Sequence, residues 1–440
     1  MKKSISAFIY RKTVFLSLCI AAALLTTGCS REQMNLQIAE SIGTLGMYDN
    51  NEPVESPKMK AQREMQEAKE SEETDVTGHL EKAARLAASY DYAAALEEIA
   101  SISEDRQDDD RVISAKIEYQ RLQNAMVVYN DSIPHFSVRS LVVDPERAYD
   151  DDDMAYYYNN WTLTVEEFKE ILQSLYERGY VLMDIHDAVV IVENEDGTTS
   201  FALNMPSVPE GKKPMILSFV EANYYDHTKG NGFSSALVLA EDGSVQNSYT
   251  DASGKESVGA YDVVPIVDEF VEEHPDFSLR GAKGIISVTG YEGVFGYGLE
   301  TGGSTIAAIA DRLRETGWSI ACHGYENLSM ESEVDYDGLI ADVEDWKEKV
   351  APLVGDTDLL IYPYGEEVSA ATAKHDYLLE QGFEFFFGIW TTADFLEVNS
   401  DYVRQTRRTL DGYDLYFYKD SLTDFFDAEE ILEDDRLPFE

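Results

Sequence analysis

From about residue 130 onward, short β-rich apolar runs alternate with longer stretches whose apolar residues recur every three or four positions. The runs fall at 138–143, 180–183, 214–219, 284–289, 318–322, 359–362 and 383–389. Such alternation predicts parallel strands joined by crossover helices. One of those helices is bounded by Thr164 and Glu167, which have the spacing of a capping box, and by Gly179 at its end, with Phe168, Ile171, Leu172 and Leu175 on one face. A second carries Tyr336, Leu339, Ile340, Val343, Trp346 and Val350 at the same period. About seven repeats of strand and helix predict an α/β fold, closed or nearly closed into a β/α barrel, whose chemistry collects in the loops after the strands.

The pattern upstream is different. Leu80, Ala83, Ala84, Ala87 and Ala88 recur at helical spacing, Tyr90, Asp91 and Tyr92 interrupt them, and a second helical stretch covers 93–99. This small α-helical hairpin is similar to a single tetratricopeptide-type unit, which cannot bury its own face and must pack on a neighbour. It is read as support. Residues 29–77 are polar, with Asn50, Asn51, Glu52, Pro53 and an acidic run near 67–75, and read as a flexible tether. Ahead of them, Lys2, Lys3, Arg11 and Lys12 precede an apolar run at 14–25 that is too short for a stable membrane span, the arrangement of a signal peptide. The run closes on Leu24, Leu25, Thr26, Thr27, Gly28 and Cys29, which resembles the lipobox cut by bacterial lipoprotein signal peptidase. The expected organisation is therefore a leader at 1–28, a lipid-anchored Cys29 opening the tether at 29–77, helices at 78–130 and the barrel at 131–440, all in the bacterial cell envelope.

Charge and cysteine content narrow the partners. The formal net charge is -49, and loss of the leader's four basic residues takes it to about -53, which repels phosphate backbones. Nucleic acid is excluded as an expected partner. Only Cys19, Cys29 and Cys322 occur, so once the leader is cut and Cys29 lipidated, Cys322 has no partner for an internal disulfide.

Three segments at predicted strand ends carry a resemblance. Lys213 to Phe219 followed by Val220, Glu221, Ala222, Asn223 and Tyr224 resembles the first motif of the polysaccharide deacetylases, the NodB-homology enzymes. Gly317 to His323 resembles their histidine motif, and Leu360 to Gly365 their proline-glycine motif, in the same order. The resemblance covers roughly residues 130 to 435 and implies an irregular (β/α) barrel of the polysaccharide deacetylase type. It also implies a metal-assisted hydrolase that removes acetyl groups from N-acetylated sugars, with polysaccharide or peptidoglycan as partner.

The resemblance places Val220 where the family has its general base and Glu221 where it has an acidic metal ligand. The two histidine ligands, four apart and expected on one helical turn, correspond to His323 and Asn327, and no histidine follows His375 to act as the late acid. The implied cofactor is one divalent metal of the zinc, cobalt or manganese type on Glu221, His323 and Asn327, or none. Proton transfers worth about 10²–10⁴ in rate each lack an evident donor and acceptor, so two readings stand open: a hydrolase of carbon-nitrogen bonds with an altered site, and an inactive glycan-binding or scaffolding lipoprotein. Asp226 and His227 are either a displaced acid and base or loop surface. Tyr224, Tyr225, Tyr362 and Tyr364, with Trp161 and Tyr291, are candidates to line a substrate cleft, because aromatic rings offer sugars a flat apolar body with a polar tip.

Overall fold

The computed structural model describes residues 57–150, 152–434 and 436–439. The leader and Cys29 lie outside the described residues. Two units divide the chain, 1–72 and 73–440, and the second contains the barrel.

Seven strands build that barrel: β1 (His135–Val138), β2 (Lys213–Phe219), β3 (Gly284–Val288), β4 (Trp318–Cys322), β5 (Leu359–Ile361), β6 (Phe385–Ile389) and β7 (Val403–Thr409). They pair in parallel in the order β3-β4-β5-β6-β7-β1-β2, and β2 pairs with β3 to close the ring. Because side chains alternate across a strand, successive residues enter two different cores. Met215, Leu217, Phe219, Ile320, Leu360 and Phe386 pack outward against the helices. Ile216, Ile285, Ala321, Ile361, Phe385, Phe387 and Val403 fill the barrel. Above that apolar plug lies a polar layer in which His135, fully buried, is hydrogen-bonded to Gln405 at 3.0 Å and to Ser218.

The helix Val165–Glu177 starts with the predicted box: the Glu167 N–H donates to Thr164 Oγ1 at 3.1 Å and the Thr164 N–H to Glu167 Oε2 at 2.9 Å. Tyr336–Lys349 forms the second predicted helix. Three expectations are corrected. The first strand ends at Val138 rather than beginning there, because Val142 leaves the barrel to bridge Thr164 and Phe233. Tyr180–Leu182 pairs with the first half of β2 and stands outside the ring. And 57–77 is not an open linker: the helix Pro57–Ala88 runs through it, since Lys, Gln, Arg, Glu, Met and Ala all favour helix and Val76 is fully buried against Ala83, Ala95, Ile99 and Val112.

Within the second unit, the turn that follows this helix, at Ser89 and Tyr90, docks at the amino ends of the strands. Tyr90 Oη donates to the Asp276 carbonyl at 3.0 Å, and the Arg280 N–H, just before β3, to the Ser89 carbonyl at 2.7 Å. It therefore stands away from the carboxyl ends, where the site forms.

Candidate active site

The loop after β2 is bent sharply inward. Glu221 has φ 61°, a left-handed conformation that an L-residue adopts only when its surroundings enforce it. The enforcement comes from β3: the Glu221 N–H donates to Ser287 Oγ at 3.1 Å, the Ala222 N–H to the Ser287 carbonyl at 3.0 Å, and the Thr289 N–H to Asn223 Oδ1 at 3.2 Å. Tyr224, Glu292, Phe295, Asn327 and Tyr364 are also left-handed, so six of the nine such non-glycine residues described sit in loops at this end of the barrel. Backbone strain concentrates where the side chains converge.

His323 follows β4 and is buried, with its Nδ1 donating to the Ile361 carbonyl at the end of β5 at 2.7 Å. A carbonyl only accepts, so the proton is on Nδ1 and Nε2 is free for another partner. That Nε2 is buried without a hydrogen bond among the described residues and lies 3.5 Å from Glu221 Oε1. Asn327 reaches the same place from an irregular loop rather than from a helical turn, as its φ of 56° shows. The buried Asp342 carboxylate shapes that loop by accepting the Tyr325 and Glu326 N–H groups at 3.0 and 2.8 Å. Asn327 Oδ1 is likewise buried and unpaired, while its Nδ2 is 3.4 Å from Tyr225 Oη.

The electrostatics follow from this placement. Burial pushes Glu221 upward, but Arg139 opposite it, at 3.9 Å, together with His323 and Asn327, outweighs burial and holds the carboxyl at about 2. Arg139 in turn donates to Tyr157 Oη at 2.8 Å. Arg407, on β7, is fully buried, donates through Nε to the Gly388 carbonyl at 3.1 Å, and is pulled down to about 9 by burial and by Arg139. It still carries its charge at neutral pH. One ionised carboxylate thus faces two guanidinium groups and a histidine.

These groups divide a cleft into two lobes that share Arg139, Val220 and Glu221. The outer lobe is lined by Tyr157, Tyr158, Tyr224, Tyr225 and His227. The inner lobe holds His323, Arg407, Trp161, Tyr362, Tyr364 and Asp411. Val220, expected from the resemblance to stand at a general-base position, is an apolar wall residue 7% exposed. Of the four tyrosines singled out from sequence, Tyr364 stands out at the rim, 56% exposed, with Trp390 also exposed at this end of the barrel. Tyr225 is buried, 3.3 Å from Thr289 Oγ1 and 3.4 Å from the Asn327 amide. Tyr224 accepts from Asn247 Nδ2 at 2.9 Å, and Tyr362 is stacked on Phe386 with 1% exposure, so both chiefly pack. Asp226 is an exposed loop carboxylate paired with Lys229, and His227 is stacked between Tyr158 and Tyr225.

No family model matches the chain, and no curated protein is similar to it. Among solved structures it is similar to the Streptococcus pyogenes deacetylase PplD in complex with acetate, at 13% identity and a TM-score of 0.36, over 64% of this chain and 94% of that one.

Do the residues present fit a divalent cation? Glu221 Oε1 and His323 Nε2 are too far apart for a good N–H···O bond, which spans about 2.7–3.2 Å. Two donors about 2.1 Å from a tetrahedral metal sit about 3.4 Å apart, close to the observed 3.5 Å. Two buried polar atoms without a hydrogen-bond partner among the described residues, His323 Nε2 and Asn327 Oδ1, are what a cation would satisfy. The Glu221–His323 pair fits, with the Asn327 amide as the weakest member of the set, and no group of three or more His, Cys, Asp and Glu that could hold an ion comes together among the described residues. Sequence reasoning missed Arg407, on a seventh strand whose polar composition hid it, and Asp411, two residues beyond that strand.

Proposed function

We propose that this protein is a metal-assisted acyl hydrolase of the polysaccharide deacetylase type, acting on N-acetylated glycan. The observation that carries the reading is the pairing of Glu221 with the buried His323 and its unsatisfied Nε2, in a cleft at the carboxyl ends of a parallel barrel. Glu221, His323 and Asn327 would hold the ion. When bound, a divalent cation lowers the pKa of the water it holds and polarises an acyl carbonyl. The chain's own residues supply the rest. The Ile361 carbonyl fixes the His323 tautomer, Arg139 keeps Glu221 ionised, and the guanidinium groups of Arg139 and Arg407 favour negative charge developing on an acyl oxygen in the inner lobe.

Glycan as the substrate class draws support from the rim, where Tyr364 and Trp161, the latter stacked on Tyr413 at 5.1 Å, offer flat faces beside the cleft. The leader and Cys29 support anchoring at the bacterial envelope, where such polymers are found. Zinc titration of the chelator-stripped protein tests the reading. One ion is expected to bind, with a loss of at least about a hundredfold in affinity in His323→Ala and Glu221→Gln, more than the roughly 10- to 100-fold typical of a residue that only orients a ligand. Equal zinc affinity in wild type and both variants would overturn it. The inactive reading has its own observation in Val220, which cannot accept a proton, and predicts glycan binding without turnover.

A further inference from the structure

We propose that Asp411 is the proton donor to the leaving group in acyl hydrolysis at this cleft. The inference rests on the acyl-hydrolase reading above and adds the residue that the reading lacks. Asp411 is two residues beyond β7, as Arg139 is one beyond β1, and these strands are adjacent and parallel, with Thr409 opposite Ser137. The two side chains therefore reach the inner lobe side by side, and Asp411 lines it together with Glu221, His323 and Arg407. Its place is fixed. Leu410 N–H donates to the Ser137 carbonyl at 2.8 Å, and Asp411 Oδ1 accepts the Asp414 N–H at 2.8 Å, which leaves Oδ2 to carry a proton. The following Gly412 is packed so tightly on the Asn159 carbonyl that an added Cβ would lie 2.3 Å from it.

A buried carboxyl in a ligand cleft is costly as an anion, and the groups around this one decide its state. Arg139 and Arg436 favour the anion, but burial and the neighbouring Asp414 carboxylate outweigh them and raise Asp411 well above the ordinary aspartate range. Glu221, in the same lobe, is shifted the opposite way by Arg139. His323, Arg407, Tyr362 and Tyr364 are the remaining ionisable groups on the lobe wall. Two carboxyls pushed apart in this way are the arrangement that assigns one as anion and the other as acid.

The step balances as follows. A water oxygen bonds to the acyl carbon and releases one proton to solvent. The C–N bond breaks with its electron pair on nitrogen, and that nitrogen takes the Asp411 proton. The Asp411 carboxylate then regains a proton from solvent.

The test compares two substrates on the metal-supplemented full chain: an N-acetylglucosamine trimer, whose amine needs a proton to leave, and p-nitrophenyl acetate, whose phenolate does not. Asp411→Asn, which keeps the acceptor for the Asp414 N–H, is expected to lose about 10²-fold on the trimer and less than about threefold on the ester. Retained ester hydrolysis also shows that the variant is folded. In the wild type, amide hydrolysis is expected to fall as pH rises above neutrality and Asp411 ionises, while ester hydrolysis shows no such fall; this profile decides the matter if the variant does not fold. Equal amide rates in wild type and Asp411→Asn, or the same alkaline fall on both substrates, would overturn the proposal while leaving the hydrolase reading intact. A wild type inactive on the trimer would remove that reading and this inference with it.

Discussion

Arg436 offers the sharpest test of how the wall of the cleft is held. Its side chain is 2% exposed and its partner Glu167 is wholly buried. Nε donates to Glu167 Oε1 at 2.6 Å and Nη2 also reaches that carboxylate, while Nη1 and Nη2 donate to the carbonyls of Asn159 and Thr162 at 2.5 and 2.9 Å. Those carbonyls bracket Trp161, so the pair ties the C-terminal segment to the helix that carries the aromatic wall. Replacing Arg436 with Met leaves Glu167 buried without its counter-charge, which costs about 3–5 kcal/mol. Glu167→Gln strands the guanidinium instead and costs about 3 kcal/mol on the same grounds. Making both changes removes both charges, and the amide oxygen of the introduced glutamine can still accept the Thr164 N–H that the Glu167 carboxylate accepts now. The double variant should therefore recover much of the loss, with a coupling of at least about 2 kcal/mol. Urea unfolding of the four proteins followed by circular dichroism measures it. Additive costs, or a cost below about 1 kcal/mol for Arg436→Met, would refute the reasoning.

Two further predictions concern the metal set and the opposite end of the barrel. Asn327→His replaces an amide with an imidazole better suited to zinc, and is expected to tighten zinc binding by at least about tenfold in the same titration; weaker binding would show that Asn327 is not directed at the ion. His186 donates to Asp184 at 2.6 Å and to Asp358 at 3.1 Å. Burial opposes its charge, but the two aspartates raise it to about 10. A raised histidine stabilises fully below its unfolded pKa and loses that contribution as pH rises through the folded value. His186→Gln is thus expected to destabilise by about 1 kcal/mol at about pH 6, after discounting for an imidazole 40% exposed, and by much less above about pH 10. A pH-independent difference in unfolding midpoint would contradict it.

Much of the barrel is legible in the sequence because its inner strands are nearly continuous apolar runs, as in 214–219 and 318–322, and because Thr164 and Glu167 mark a helix start with their own side chains. The seventh strand is not legible. Val403–Thr409 carries Arg404, Gln405, Thr406, Arg407 and Arg408, and its polarity reflects where it stands: Gln405 meets His135 inside the barrel, Arg407 faces the cleft, and Arg408 pairs with Asp394 at 2.5 Å on the outside. A strand recruited to line a site loses the hydrophobic signature that reveals strands. For the same reason Asp411 escapes notice, although its position after that strand is what brings it to Glu221 and His323. The segments carrying Glu221, His323 and Asn327 are found through the resemblance rather than the hydrophobic pattern, and the fold brings Glu221 and His323 within 3.5 Å of each other. What spacing does not show is that Val220 faces the cleft as an apolar wall, or that Tyr362, although it borders the inner lobe, is buried and stacked on Phe386.

The measurement that bears most directly on the central claim is acetate release from N-acetylglucosamine oligomers by the purified protein, stripped by chelator and then supplied with zinc, cobalt or manganese, beside His323→Ala. Release that is absent after stripping, returns with metal and is lost in His323→Ala is the predicted result. Oligomers that bind at the cleft but yield no acetate with any of the three metals would contradict the hydrolase and leave a glycan-binding barrel.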